Sequence, residues 1–222
     1  MKRYFYLKVK KINTKDIVVM GLMLSLYLIL NLMTAYSFSQ FYLSLNIKLI
    51  PIFVLATYTD WLRTLIVAIL GGIIGFFLPT NADAGIPLAY VFDYWIPLLL
   101  VAICSIFLPR NFRNKKEKVS KNKKLLMSKR EKNKLWFEEK KDWFKWMGIW
   151  IIVISIYAFL GFWSKTFAGV LFYSAGAVEK NQNVWIFSMS VNSVNSVFDW
   201  AIYLATIPVV CYTIYPVAKN IY

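Results

Sequence analysis

The sequence predicts an all-α membrane protein, a six-transmembrane-helix bundle with both termini cytoplasmic, and three observations predict it. The 222 residues are 59% hydrophobic and only 17% charged, whereas charged residues make up about a quarter of a typical soluble domain. Long apolar blocks recur along the chain, each near the roughly 20 residues that a helix needs to cross a bilayer. Fifteen of the 26 Lys and Arg residues fall in one basic insertion, residues 110–145, between two of these blocks.

The apolar blocks define the predicted elements in chain order. Spans are expected near residues 17–36, 42–58, 62–78, 86–108, 147–174 and 184–215. The basic start of the chain is followed by no small-residue cleavage site, so it is interpreted as leading into a retained first span. The sequence therefore predicts a single membrane domain, residues 1–222, with the basic insertion between the fourth and fifth spans.

The distribution of positive charge predicts the orientation of these spans. With six spans, 23 of the 26 Lys and Arg residues fall on the side that holds both termini and the basic insertion. Loops rich in Lys and Arg remain in the cytoplasm. The basic insertion is therefore expected to be cytoplasmic, and its main meaning is topological.

The end of the basic insertion carries aromatic pairs seven residues apart, Trp136 with Trp143 and Phe137 with Phe144. This spacing is typical of an amphipathic helix that lies in the headgroup region and leads into the fifth span. A solvated charged linker is the alternative.

Ionisable and amide side chains inside the spans are costly in a bilayer and therefore indicate function. At ~1.5 Å per helical residue, Asp93, Lys165 and Asn192 lie roughly 12–15 Å below the outer ends of their spans. On the same scale Lys48 lies roughly 9 Å deep, whereas Asp199 is expected near the midplane. A pocket open to the exterior explains this convergence, and a structural Asp93–Lys165 ion pair is the alternative.

Small residues recur at helical spacing, Gly21 with Ser25 in the first span and Gly71 with Gly75 in the third. Such pairs let two helices approach closely. Packing inside the bundle is the simplest interpretation of both.

Two other function classes fit the sequence less well. An intramembrane enzyme would need a nucleophile with a base or a metal set, yet the chain has no histidine, and Cys104 and Cys211 are far apart. A membrane anchor whose basic insertion binds anionic lipid or nucleic acid would leave Asp93 and Lys165 without a purpose. No GxxxxGK[ST] loop is present for binding ATP. Neither a metal nor a cofactor is expected.

Four stretches carry a family resemblance. They are NIKLIP at 46–51, FDY at 92–94, FAGVLFYS at 167–174 and SMSVN at 188–192. In order and spacing these stretches resemble the substrate-binding S component of energy-coupling factor (ECF) vitamin transporters, in particular its thiamine-binding members. The resemblance covers most of the chain except the basic insertion.

The resemblance implies a six-helix bundle in a bacterial cell membrane that captures a vitamin, thiamine or a related compound, near the outer face. It also implies docking on a transmembrane coupling subunit driven by two ATPase subunits, so that the chain itself is not an enzyme. Membrane lipid is the other expected partner, and nucleic acid is not.

The family's functional positions can be carried over to this sequence. The pocket that the resemblance implies consists of Tyr42, Asn46, Asp93, Tyr94, Lys165, Tyr173, Phe187 and Asn192. The face of the first span that carries Gly21 and Ser25 corresponds to the family's contact with the coupling subunit. In this pocket Tyr94 and Tyr173 would stack on the ring of the vitamin, and Asn192 would donate a hydrogen bond to it.

The chain also departs from the family pattern. Asp93 stands where the thiamine binders have glutamate, Lys165 where they have histidine, and Tyr42 and Tyr173 where they have tryptophan. An ammonium group near a thiazolium ring is unfavourable unless Asp93 neutralises it or burial removes its proton. A related vitamin or precursor with an acceptor or anionic group is therefore the alternative substrate.

Overall fold

The computed structural model describes residues 7, 9, 11–37, 46–78, 85–108 and 128–221, except for the side chains of 34–37, 132–142 and 215–221. These residues form helices, and no strand occurs among them. The helices are α1 Thr14–Ser37, α2 Ile50–Tyr58, α3 Trp61–Phe76, α4 Pro87–Cys104, α5 Lys129–Phe172, α6 Ala175–Glu179 and α7 Val184–Ile221. A 3-10 turn, Ile47–Leu49, leads into α2.

Four of these helices are long and apolar enough to cross a membrane. The candidate spans are Thr14–Met33, Pro87–Cys104, Trp143–Phe172 and Val184–Ile214. The segments Ile47–Tyr58 and Trp61–Phe76 are apolar but shorter. The prediction of an all-helical chain with membrane-spanning helices is confirmed, whereas the count of six spans and the side of the termini stay predictions. Residues 42–45 of the predicted second span lie outside the described residues.

Helix α5 begins well before the predicted fifth span. It has 44 residues, which at ~1.5 Å per residue is about twice the thickness of a bilayer core. A capping box starts it, in which the Ser128 side chain accepts from the Glu131 N–H and the Glu131 carboxylate accepts from the Ser128 N–H. The end of the basic insertion is therefore a helix continuous with the span, and its location among lipid headgroups stays a prediction.

Helix α2 forms the centre of the bundle, because all its residues from Pro51 to Thr57 are buried. It packs against α1, α3, α4 and α7. The Phe53 ring meets Tyr157 of α5 at 5.0 Å and Tyr203 of α7 at 5.5 Å between centroids, and the two tyrosine rings are 5.9 Å apart. This aromatic triangle joins α2, α5 and α7 next to the polar groups described below.

Glycines of α3 allow large aromatic residues of α4 to approach its backbone. A Cβ built on Gly72 would lie 2.3 Å from the Trp95 ring, and one on Gly75 would lie 2.6 Å from the Tyr90 hydroxyl. The Tyr90 hydroxyl also donates to the Gly72 carbonyl at 2.9 Å. A Cβ on Gly71, the other member of the predicted pair, would lie 3.1 Å from the Tyr27 ring of α1. Gly71 and Gly75 therefore both pack inside the bundle, as the sequence predicted.

One turn of α4, Val91–Trp95, is a π-helix. Pro97 has no N–H to continue the α-helical pattern through this region, and the Ile96 N–H instead donates to the carbonyl of Val91, five residues back. Ser164 of α5 donates to the Phe92 carbonyl at 2.5 Å, which fixes the turn against α5. The widened turn carries Asp93 and Tyr94, both partly buried. Such turns occur frequently at functional sites.

Candidate functional site

A polar group of four residues lies between the start of α2 and helices α5 and α7; we call it the Asp199 cluster. The Asp199 carboxylate accepts from the Asn46 backbone N–H at 3.0 Å and from the Asn46 side-chain amide at 2.5 Å. It also pairs with the Lys165 ammonium, with 3.2 Å between Nζ and Oδ2. The Tyr203 hydroxyl completes the cluster by donating to the Asn46 carbonyl at 2.6 Å.

The Asp199 cluster satisfies the polar groups that α2 exposes at its start. Asn46 immediately precedes the 3-10 turn, and the Asn46 side chain forms no capping hydrogen bond with that turn. Both the N–H and the carbonyl of Asn46 are nevertheless bonded, by Asp199 and Tyr203 respectively. Because a buried backbone group without a partner would be costly, these hydrogen bonds stabilise the start of α2. The same cluster places Lys165 beside it.

A second polar group surrounds Tyr94; we call it the Tyr94 cluster. The Lys48 ammonium lies 4.4 Å from the centroid of the Tyr94 ring and donates to the Asn31 side-chain oxygen at 2.7 Å. Tyr94 also stacks on Tyr90, with centroids 5.1 Å apart. A cation over a tyrosine ring is attracted by the negative face of the ring. The ring of Tyr94 therefore stabilises the positive charge of Lys48.

Asn192 contacts α5 through the hydroxyl of a neighbouring serine. Its amide donates to the Ser188 carbonyl at 3.0 Å and to the Ser188 hydroxyl at 3.3 Å. The Ser188 hydroxyl donates to the Thr166 carbonyl at 2.9 Å. Gly169 leaves room for this contact, because a Cβ there would lie 2.2 Å from the Ser188 hydroxyl oxygen.

The other predicted pocket residues lie towards the turn between α5 and α7. Tyr173 follows the last residue of α5 and is exposed. The Phe187 ring lies 5.1 Å from the Lys180 ammonium and next to Gly176 of α6. Tyr42 lies outside the described residues. The structure thus joins Asn46 with Lys165 and places Asp93 beside Tyr94, and membership of one pocket stays a prediction for the whole set.

The structure gives Lys165 a different partner from the one in the alternative interpretation of the sequence. The sequence considered an Asp93–Lys165 ion pair, but the carboxylate that pairs with Lys165 is that of Asp199. Asp199 was expected near the midplane, deeper than Asp93, Lys165 and Asn192. A signal for it was present, because Asn192, Asn195 and Asp199 recur at helical spacing on one face of α7. Asn195 and Asp199 are both buried.

The first small-residue pair faces outward, unlike the pair in α3. Gly21 and Ser25 are exposed, and a Cβ built on Gly21 would meet nothing within 4 Å. The Ser25 hydroxyl donates to the Gly21 carbonyl at 2.9 Å within the helix. Packing inside the described bundle is therefore wrong for this pair. The shallow face that it forms on α1 is open to contact from outside.

The charges around the two clusters balance. Lys48 and Lys165 contribute two positive charges, and Asp93 and Asp199 contribute two negative charges. With tyrosine rings and amides beside them, these groups can donate and accept hydrogen bonds and can stabilise a cation.

Comparison with known protein families gave a match over most of the chain. A family model described as "Thiamine transporter protein (Thia_YuaJ)" matches residues 17–219. This range includes α2, α3, α4, α5 and α6 entirely and nearly all of α1 and α7. A search of curated proteins and a search of solved structures found no match.

Proposed function

Because the chain belongs to the thiamine transporter protein family, we propose that it is the substrate-binding S component of an ECF importer, with thiamine as its vitamin. The family match over residues 17–219 is the observation that carries this proposal. The charges of Asp93 and Asp199 support it, because they would balance those of Lys48 and Lys165 and allow a site that contains Lys165 to accept a cationic ring. A related vitamin or precursor is the alternative substrate.

In this proposal six helices cross the membrane, with α2 and α3 as the short second and third spans. Both termini and the basic insertion face the cytoplasm, and the pocket opens to the outer face. The charge bias of the sequence supports this orientation. Cysteine labelling of intact cells would test it: a cysteine at Lys180 should react with a membrane-impermeant reagent, and one at Ser128 should not.

We place the thiamine pocket around the π-helical turn of α4 and the Asp199 cluster. Asp93 and Lys165 orient the polar groups of thiamine, and Tyr94 stacks on one of its rings. Asn46, Tyr173, Phe187 and Asn192 complete the described part of the pocket, and Tyr42 is proposed to join it.

Titration of the purified protein with thiamine, followed by tryptophan fluorescence, tests substrate binding. We expect saturable quenching that Asp93→Asn weakens about tenfold or more, because the variant loses a partly buried charge that attracts the thiazolium ring. Glu179→Gln is the matched control, since Glu179 is an exposed carboxylate at the end of α6. Wild-type protein that binds no thiamine and retains no related vitamin on purification would refute the proposal.

The partners in this proposal are a transmembrane coupling subunit and two ATPase subunits, which hydrolyse the ATP. The exposed Gly21 and Ser25 of α1 form the proposed contact with the coupling subunit. Ser25→Phe should reduce co-purification of the ATPase subunits without changing thiamine affinity, because the larger side chain holds the helices apart. Val197→Phe places the same ring on an exposed position of α7 and should have no effect.

A further inference from the structure

Asp199 is the point where three donors meet inside the protein. Two come from Asn46 and one from Lys165, so the carboxylate is held from both sides. The side chains of Lys165 and Asp199 are 13% and 9% exposed, respectively. The ion pair therefore lies at the edge of the packed interior rather than in its centre.

This position leaves part of the Lys165 ammonium available to a ligand. An ammonium group carries three N–H donors, and one of them is directed at Asp199. The two contacts from Asn46 fix the carboxylate independently of Lys165. Asp199 thus holds the ammonium in one place while its other donors can reach a hydrogen-bond acceptor.

The Lys165–Asp199 pair also determines the net charge next to a bound ligand. A partly buried ammonium without a counterion repels a cation over several ångströms, because charges in a protein interior are weakly screened. With Asp199 beside it, the pair has no net charge. Thiamine combines a cationic thiazolium ring with a neutral aminopyrimidine ring that carries acceptor nitrogens, so it requires both properties.

We propose that Asp199 is a specificity-determining residue: by neutralising and positioning Lys165, it lets a site built around a lysine accept a cationic vitamin. This inference rests on the proposed binding of thiamine. It predicts that Asp199 controls the preference for a cationic over a neutral ligand, beyond any effect on overall affinity.

The test compares thiamine with 3-deazathiamine, a neutral isostere that has carbon in place of the charged ring nitrogen. Binding of both is measured by fluorescence titration for wild-type protein, Asp199→Asn, Lys165→Met and the double variant. Asp199→Asn should reduce the ratio of thiamine affinity to deazathiamine affinity about 10- to 100-fold, because an uncompensated charge remains. Lys165→Met should raise this ratio, and the double variant should restore it to near the wild-type value.

Each outcome is decisive. Equal losses for both ligands in Asp199→Asn, together with an unchanged ratio in Lys165→Met, would mean that the pair is only structural and would overturn the inference. If Asp199→Asn does not fold, the ratio of thiamine affinity to deazathiamine affinity is compared between wild-type protein, Lys165→Met and the double variant. A ratio that is raised in Lys165→Met and restored in the double variant supports the inference, and an unchanged ratio overturns it. Glu179→Gln controls for the loss of an exposed charge and should leave the ratio unchanged. Failure of wild-type protein to bind thiamine would instead refute the proposed function.

Discussion

A buried ionic group joins the start of α1 to the start of α3, and its removal should destabilise the protein strongly. The Arg63 guanidinium pairs with Asp16 of α1 at 2.7 Å and with Asp60, the residue that caps α3. It also donates to the Lys11 carbonyl at 3.0 Å. The side chain of Arg63 is 4% exposed, and those of both aspartates are 3% exposed. We call these three residues the Arg63 cluster.

Arg63→Met keeps most of the side-chain volume but leaves two carboxylates buried without their cation. Removing one partner of a buried ion pair typically costs about 3–5 kcal/mol. For a protein of 222 residues, a loss of this size lowers the Tm by roughly 6–20 °C. Because Arg63 meets two carboxylates and a backbone carbonyl, we expect the upper half of this range.

The assay is thermal unfolding of the purified protein in detergent, followed by tryptophan fluorescence. Arg130→Met is the matched control, because Arg130 is exposed near the start of α5 and its loss should change the Tm little. Asp16→Asn combined with Asp60→Asn should recover part of the stability lost in Arg63→Met. An Arg63→Met variant as stable as Arg130→Met would refute the reasoning that this cluster holds α1 to α3.

Two further predictions concern α3 and α5. Gly72→Ala should destabilise the protein by about 1–3 kcal/mol, since its Cβ would lie within 2.8 Å of three atoms of the Trp95 ring; Gly148→Ala, where nothing lies within 4 Å, should not destabilise in the same unfolding assay. Two hydrogen bonds lower the pKa of Glu131: the one from the Ser128 N–H has the larger effect, and the one from the Ser128 side chain has the smaller. The capping box should therefore stabilise the first turn of α5 above the usual carboxyl pKa and lose this effect as the pH falls through the lowered pKa. Hydrogen exchange of residues 129–132, corrected for its intrinsic pH dependence, should show this loss in the wild type and not in Glu131→Gln.

The Arg63 cluster also shows where sequence reasoning reaches its limit. The sequence placed Arg63 at the start of the predicted third span, residues 62–78, and counted it only among the charges of the cytoplasmic side. Asp16 is 47 residues away along the chain, and no local pattern pairs the two. The structure joins them because α1 and α3 pack side by side, which brings their starts to the same end of the bundle.

Helix boundaries were predictable where composition changes sharply. The first, third and fourth helices and the start of α7 agree with the apolar blocks to within a few residues. The start of α5 was predicted only in part: the aromatic pairs indicated a helix that leads into the span, but the first residue of that helix is set by the capping box at Ser128. The π-helical turn of α4 was missed as well, although Pro97 was a signal for an irregular helix.

The sequence by itself determined the class of this protein. Apolar blocks of span length predict membrane helices because a bilayer excludes unpaired backbone groups, and four stretches in order indicated the family. Only the tertiary structure decided which charges meet. Asn46 and Asp199 are 153 residues apart, and Lys165 and Asp199 are 34 apart. Residue spacing gives the depth of a side chain along its helix. The rotation and tilt of the helices, which turn these side chains towards one another, depend on how the helices pack. The packing of α3 glycines against α4 aromatic rings is one example.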